Sequence, residues 1–429
     1  MKILVLATCF DPEVTASAPF TTDLCAYLVE QGHEVTAVVA FPHYPQWKRF
    51  DGYRGKFVQK DMVRGIKVLR VPNYIPENPT KFRRIAYDSS FAATSFLGAL
   101  TTGKPDMILA ICSPLQTGVT AAALGKVWGV PYVFHVQDLL PEGAVALGIM
   151  REGKALKLAN KMADFVYDHA EHVSVIGHKL LAGVKAHGVP DSKLSFLPNW
   201  VNTDWVTPGS RLSKFREEVG ATPEDFVVLY VGNFGEKQQM ETLVEAAGLL
   251  KDEAGIKFVL VGEGNHRHVA IERAKQLGLD NVTFVGVQPR AKLPDMLATA
   301  DLLVLHQRRE VIDMVMPSKL MSYGASGRPI LVAGVGESEG ARFIEEADCG
   351  MVVEPEQPAL LADAIRTLRA DEEGRARMGR NARAYIEEHF VGSKVLAKAE
   401  ALFTRTVAGF ETRKSGRSPE ARPAASGSD

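Results

Sequence analysis

Lys319 follows Pro317 and Ser318 in the stretch DMVMPSKLMSYGASGRPILV, residues 313–332. Proline suits the first position of a helix, where its missing N–H costs nothing. The N–H groups of a first turn have no partner within the helix, and the helix dipole is positive at that end. Ser318 and Lys319 are therefore expected to open a short helix that attracts an anion, to which the lysine adds a full charge. Gly327 ends that helix before the apolar residues 330–332. A phosphate suits this chemistry. The plainer alternative is a strand–helix–strand connection with its lysine in water.

VGNFGEKQQMETL, residues 231–243, reads the same way. A strand ends in a loop carrying Gly232, Asn233 and Gly235, and Lys237 and Gln238 open the next helix. The glycines let a ligand approach the backbone closely. The stretch is not G-x-x-x-x-G-K-[ST], so it is no P-loop, and a tight turn is the alternative. Two anion-attracting helix starts in one domain suit a diphosphate. LVGEGNHR (260–267) adds Gly262 and Gly264, which could cradle a ribose or a base, or simply turn. Arg308 and Arg309, after the strand ADLLVL, could add charge near the diphosphate or sit in water.

In the first half, FHVQDLLPEG (134–143) gathers His135, Asp138 and Glu142 at a strand end, where parallel sheets present reactive groups. His135 could exchange a proton with a sugar hydroxyl, or be a satisfied core histidine. The loop ATCFDPEVTASAPFTT offers Thr15 and Ser17 to a sugar or phosphate, or as caps for the helix that follows. Neither half opens on G-x-G-x-x-G, which disfavours a nicotinamide dinucleotide. No D-x-D occurs, and the pairs His169/His172 and His266/His268 lack companion ligands, so no metal site is expected.

These residues need a scaffold that brings strand ends together. Near-continuous apolar runs at residues 3–7, 35–40, 66–71, 107–111, 132–136 and 173–176 read as parallel strands covered on both faces. Phe20, Leu24, Tyr27 and Leu28 fall on one face of a helix that Gly32 ends. The scheme restarts with FVVLYVG (226–232) and a helical stripe of Met240, Leu243, Val244, Ala247 and Leu250. The fold class is α/β: two doubly wound Rossmann-like domains facing a cleft, over 1–200 and 206–390. FLPNWVNTDWVTPGS (196–210) is the expected hinge. A carboxy-terminal helix is expected over 391–410, and a disordered tail over 411–429, which has almost no large apolar residue.

The 429 residues carry a net charge of -1, which argues against a general nucleic-acid binder. The four cysteines show no metal-ligand spacing. The opening MKILVLATCFDPE runs quickly into Asp11 and Glu13 and reads as a buried strand rather than a signal peptide. No apolar run approaches the ~20 residues of a membrane-spanning helix, so a cytoplasmic compartment is expected. KFRRIAYDSSFAATSFLGAL (81–100) starts basic and turns apolar, as a helix lying in a lipid interface does. A buried helix at the domain interface is the alternative.

FPHYPQW (41–47), HVQD (135–138), FLPNW (196–200), GNFGEKQ (232–238) and DMVMPSKL (313–320) together resemble the retaining glycosyltransferases of the GT-B fold. The resemblance extends over the chain apart from its tail, and includes the exopolysaccharide subgroup of the colanic acid fucosyltransferase. It implies transfer of a sugar from a UDP- or GDP-sugar to a glycan or lipid-linked hydroxyl, without a metal or other cofactor, in the cytoplasm at the inner face of the plasma membrane. It places His135, Asp138, Lys237 and Asp313 at the reaction. Gly232, Asn233, Gln238, Gly262, Gly264, Arg308, Met314, Val315, Ser318, Lys319 and Ser322 fall on the donor, and Thr15, Ser17, His43 and Tyr44 on the acceptor side. The family carries two glutamates eight positions apart. Here Ser322 stands in place of the second and Met314 in place of the first, with Asp313 the nearest acid. Asn233 replaces a basic residue, and Lys237 matches the second basic position. A non-hydrolysing nucleotide-sugar epimerase and an inactive nucleotide-sugar-binding subunit are the alternatives.

Overall fold

The structure is a computed structural model that describes residues 1–14, 17–138, 153–309, 317–336 and 338–415. In the amino-terminal part the chain runs β1 (Lys2–Ala7), α1 (Ala18–Glu30), β2 (Glu34–Ala40), β3 (Gln59–Val63), β4 (Ile66–Val71), α2 (Lys81–Leu100), β5 (Met107–Cys112) and α3 (Gln116–Trp128). It continues through β6 (Tyr132–Val136), α4 (Lys154–His169), β7 (His172–Val175), α5 (His178–Ala186) and β8 (Leu194–Phe196). The sheet order is β3-β4-β2-β1-β5-β6-β7-β8, parallel except for the β3–β4 pair.

The second part contains α6 (Lys214–Glu218), β9 (Phe226–Val231), α7 (Glu241–Leu249), β10 (Ile256–Val261), α8 (Arg267–Gln276), β11 (Val282–Val285), α9 (Leu293–Thr299) and β12 (Leu302–His306). Then come α10 (Lys319–Ala325), β13 (Ile330–Ala333), α11 (Glu339–Ala347), β14 (Gly350–Val353), α12 (Pro358–Ala370), α13 (Glu372–His389) and α14 (Gly392–Lys414). Its sheet is fully parallel, in the order β11-β10-β9-β12-β13-β14. In each sheet the winding reverses once, between β1 and β5 and between β9 and β12. Loops leaving the carboxyl ends on either side of such a reversal splay apart and leave a crevice.

The predicted parallel strands form because their apolar runs are buried on both faces. The stripe Met240, Leu243, Val244, Ala247 and Leu250 is buried in full. On α1 the face turns slightly: Leu24 and Leu28 are buried, whereas Phe20 and Tyr27 are half-exposed, and Phe20 packs edge-on against Trp200. Edge strand β3 went unread because its sequence QKDMV is mostly polar. The expected hinge is well packed, with Leu197 and Val206 in the core, and Val201 bridging to Val391.

Helix α14 returns to the first domain. Val395, Leu396, Ala399, Leu402, Phe403 and Val407 join the cluster that contains Ile3, Val5, Leu24 and Val39. Glu400 accepts hydrogen bonds from Tyr27 and His33. The helix also passes the expected limit at 410, so residues 411–414 are helical rather than disordered. Arg413 there pairs with Glu171, and Lys414 donates to the carbonyl of Gly129. Residues 416–429 lie outside the described residues.

Among the described residues no helix is long and apolar enough to cross a membrane. Phe403→Ala removes the largest apolar side chain that α14 adds to this core. It is expected to lower the stability of the amino-terminal domain by about 3–5 kcal/mol. Chemical denaturation followed through that domain checks this, and an unchanged midpoint would show that the helix is dispensable there.

Candidate functional site

Two loops stack at the carboxyl ends of β9 and β10. A Cβ on Gly262 would overlap the carbonyl oxygen of Gly232, and one on Gly264 would overlap that of Phe234. Phe234 N–H donates to the Glu263 carbonyl at 2.9 Å, which locks the loops together. Against this stack lies Lys319. A Cβ on Gly232 would collide with its Cε and Nζ, so the lysine fills the space that the glycine leaves empty. Its ammonium donates to Tyr230 Oη at 2.5 Å and sits 4.1 Å from the centre of that ring. Burial pushes the Lys319 pKa down to about 7. An anion arriving at the Gly232 bend would restore the charge that burial suppresses.

Helix α10 begins where expected, with Ser318 as its N-cap and no side-chain cap bond. Ser322 donates back to the Lys319 carbonyl at 2.9 Å. Asp313, Met314 and Val315 lie outside the described residues.

Lys237 and Gln238 do not open α7. They belong to a separate 3-10 turn over residues 236–238, and Gln239 follows in the left-handed region at φ 40°. The cause is local. Gln238 Oε1 turns back to accept from Gly235 N–H at 3.1 Å, and Asn233 Nδ2 lies 3.5 Å from the same oxygen. Lys237 is exposed, and its carbonyl accepts from Arg308 N–H at 2.8 Å. The Arg308 guanidinium pairs with Glu236 at 3.2 Å and Glu356 at 3.8 Å, so its charge is largely spent on those acids.

Sequence reasoning missed His306, the last residue of β12. Its Nε2 accepts from Glu356 N–H at 3.3 Å, so Nδ1 carries the proton and donates to the Gln238 carbonyl at 2.8 Å. It thereby ties the Lys237 turn to the sheet. Burial holds its pKa down at about 4.

In the first domain His135 is the penultimate residue of β6 and is only 5% exposed. Its Nδ1 is 2.9 Å from Ser174 Oγ, and burial lowers its pKa to about 4. Asp138 is held separately, accepting from Ser113 Oγ at 2.8 Å. Thr15 and Glu142 lie outside the described residues, and Ser17 occupies the N-cap of α1 without a side-chain cap bond. The unforeseen organiser is Glu13, read at first only as a charge that ends an apolar run. Buried, it accepts from the backbone N–H groups of Phe10, His43 and Tyr44 at 2.8–3.1 Å. His43 Nδ1 donates to the Phe41 carbonyl at 2.8 Å, and its ring packs against Trp47 and Tyr87. Beside them Asp88 of α2 is half-buried, its pKa pushed up to about 7 by burial against the opposing pull of Arg84.

The two domains meet at carboxyl ends. Glu339, at the start of α11 after β13, is buried and accepts from Lys179 N–H of α5, after β7, at 2.7 Å. The sheets therefore present their loop-bearing ends toward one another there.

Models of two families match the chain: the Glycosyl transferase 4-like domain over residues 15–200 and Glycosyl transferases group 1 over residues 213–385. A protein of Escherichia coli (strain K12) named as a colanic acid biosynthesis glycosyl transferase, WcaI, is 31% identical over 374 residues, covering 85% of this chain and 91% of that protein. This chain belongs to the group 1 glycosyltransferases. Solved structures share the GT-B architecture. Sucrose-phosphate synthase from Thermosynechococcus elongatus aligns with a TM-score of 0.72 at 18% identity, covering 95% of this chain and all of the other. Anabaena Alr3699/HepE in complex with UDP and glucose aligns at 0.69 and 18%, covering 94% of this chain and all of the other. The expected fold and family thus hold, and the activity is glycosyl transfer.

His135 and His306 titrate near 6.5 when unfolded and near 4 when folded. Between these values the unfolded chain binds more protons, so stability falls as the pH drops from about 6.5 to 4. Thermal unfolding across that window checks this. Replacing either histidine with asparagine should flatten the decline.

Proposed function

We propose that this glycosyltransferase moves a sugar from a UDP- or GDP-sugar to a hydroxyl of a glycan or lipid-linked saccharide, with the anomeric configuration retained. The product belongs to an exopolysaccharide or another cell-surface polysaccharide. The observation that carries the donor assignment is the Lys319 ammonium lodged at the Gly232 bend, beside the point where the second sheet reverses its winding. The UDP held by the HepE structure and the naming of WcaI for colanic acid biosynthesis support the substrate class.

As the sugar leaves, negative charge grows on the diphosphate. Lys319 from within the loops and Lys237 from their exposed rim would neutralise it, and donors placed in advance do so without reorganisation. The proposal needs no metal or cofactor. Gly232, Asn233, Gln238, Gly262, Gly264 and the amides at Ser318 and Lys319 line the donor. His135, neutral at working pH, and Asp138 serve the reacting sugar from the other domain, together with Asp313. His43 and Tyr44, fixed through Glu13, belong with Thr15 and Ser17 to the acceptor side. Lys237→Ala and Lys319→Ala should each reduce turnover about a hundredfold or more while leaving the fold intact. Release of UDP or GDP from a panel of sugar nucleotides measures this. Unimpaired turnover in both variants would refute the site.

A cytoplasmic enzyme at the inner face of the plasma membrane fits the surface of α2. This helix packs on β2, β4 and α3 of its own domain and buries only Tyr87, Phe91, Ser95 and Ala99. Phe82 remains 85% exposed next to Arg83, and Phe57 is 77% exposed. Apolar side chains ringed by cations bind anionic interfaces. The double change Phe82→Ser and Arg83→Glu should weaken binding to phosphatidylglycerol vesicles by more than about tenfold. Equal co-sedimentation of variant and wild type would remove the membrane from the proposal.

A further inference from the structure

We propose that Tyr230 is the positioning residue for Lys319, setting both where the ammonium sits and how readily it takes a proton when a diphosphate binds. This deepens the donor assignment above and rests on it.

Tyr230 is the fifth residue of β9 and is fully buried. Its hydroxyl has one proton, which it donates to the Asn233 carbonyl at 2.7 Å. The oxygen lone pairs are then turned to the Lys319 ammonium, which donates to them at 2.5 Å. The order lysine, tyrosine, carbonyl fixes the direction of every proton in the chain. It also ties the ammonium to the turn that carries Gly232 and Asn233.

The groups packed around the amine are few. From β9 it meets Tyr230, by hydroxyl and ring face. On the other side of the strand end, Tyr323 of α10 accepts from Val231 N–H at 3.0 Å and is uncharged. Among the described residues no carboxylate lies within ion-pair distance of Lys319. An amine buried beside a ring and one hydroxyl is short of stabilisation for its charge. Burial accordingly holds it near neutrality, at about 7. Two of the three ammonium hydrogens are left for a ligand once the tyrosine has taken one. Phosphoryl oxygens of a nucleoside diphosphate, arriving where Gly232 carries no side chain, supply the acceptors and the opposite charge. Binding then draws a proton onto Lys319, and Tyr230 sets the pH at which this becomes costly.

The test uses UDP and GDP as probes, titrated calorimetrically into the full chain from pH 6 to 9. At pH 8, where either nucleotide is fully ionised, wild-type binding should take up most of one proton, read from buffers of different ionisation heat. Tyr230→Phe keeps the ring and removes the hydroxyl. It should weaken binding about tenfold at pH 8. It should also move the whole pH profile of affinity to lower values, a displacement that loss of packing alone does not produce. The ionisation of the probe is common to both proteins and cancels in their ratio. A Tyr230→Phe profile that overlies the wild type overturns the proposal. So does binding by wild type without proton uptake, which decides the matter even if the variant fails to fold. Lys319→Ala separates this from the donor assignment. If that variant binds both nucleotides normally, the diphosphate site itself is misplaced. If it binds poorly while Tyr230→Phe behaves as wild type, only the tyrosine's role fails.

Discussion

The loop after β10 approaches the loop after β9 so closely that no side chain fits between the Gly262 α-carbon and the Gly232 carbonyl. That steric constraint governs the carboxy-terminal domain. Gly262 has φ 145°, a backbone conformation that side chains resist, and its neighbour across the gap must also lack a Cβ if Lys319 is to enter. With both conditions met, a long cationic side chain reaches the end of the central strand from a helix on the far side of the winding reversal. The aromatic ring and hydroxyl of Tyr230 then receive it. Backbone shape, rather than a cluster of charges, therefore decides where positive charge collects.

The first domain solves a comparable problem with a single acid. Glu13 satisfies three backbone N–H groups in a buried loop, where unpaired donors are costly. It thereby holds His43 and Tyr44 in one arrangement. The second domain uses His306 in the same sense, pinning the turn of Lys237 to β12 through one donated and one accepted bond. In both cases the group that fixes the site is buried and hydrogen-bonded to backbone groups of a neighbouring loop. The groups left to meet ligands are those around it.

Much of this was legible in the sequence. The parallel strands announced themselves as apolar runs, and the stripe from Met240 to Leu250 announced α7. The glycines at 232, 262 and 264, together with Lys319, pointed to one site. What stayed hidden depends on contacts between distant residues. The sequence GEKQQ looks like a helix start, but the fold of Gln238 onto Gly235 makes a separate turn of it. Glu13 reads only as a charge that ends an apolar run until the loop at 41–44 packs over it. His306 sits at the end of an ordinary strand pattern, and its two partners are 68 and 50 residues away. The Tyr230–Lys319 pair spans 89 residues and leaves no local pattern. QKDMV forms a strand only because β4 offers it an edge.

Helix α14 leaves the second domain and closes the apolar face of the first, where Phe403 and Leu402 sit beside residues of β1 and β2. The order of synthesis is thus inverted in the order of completion. A ribosome making this chain exposes the first sheet early, yet that sheet waits for its last covering helix until the second domain has emerged. The second domain has its own covering elements α7, α8 and α12 in hand before then. During translation the earlier half is the more vulnerable to aggregation, and its protection comes from a helix made after the second domain.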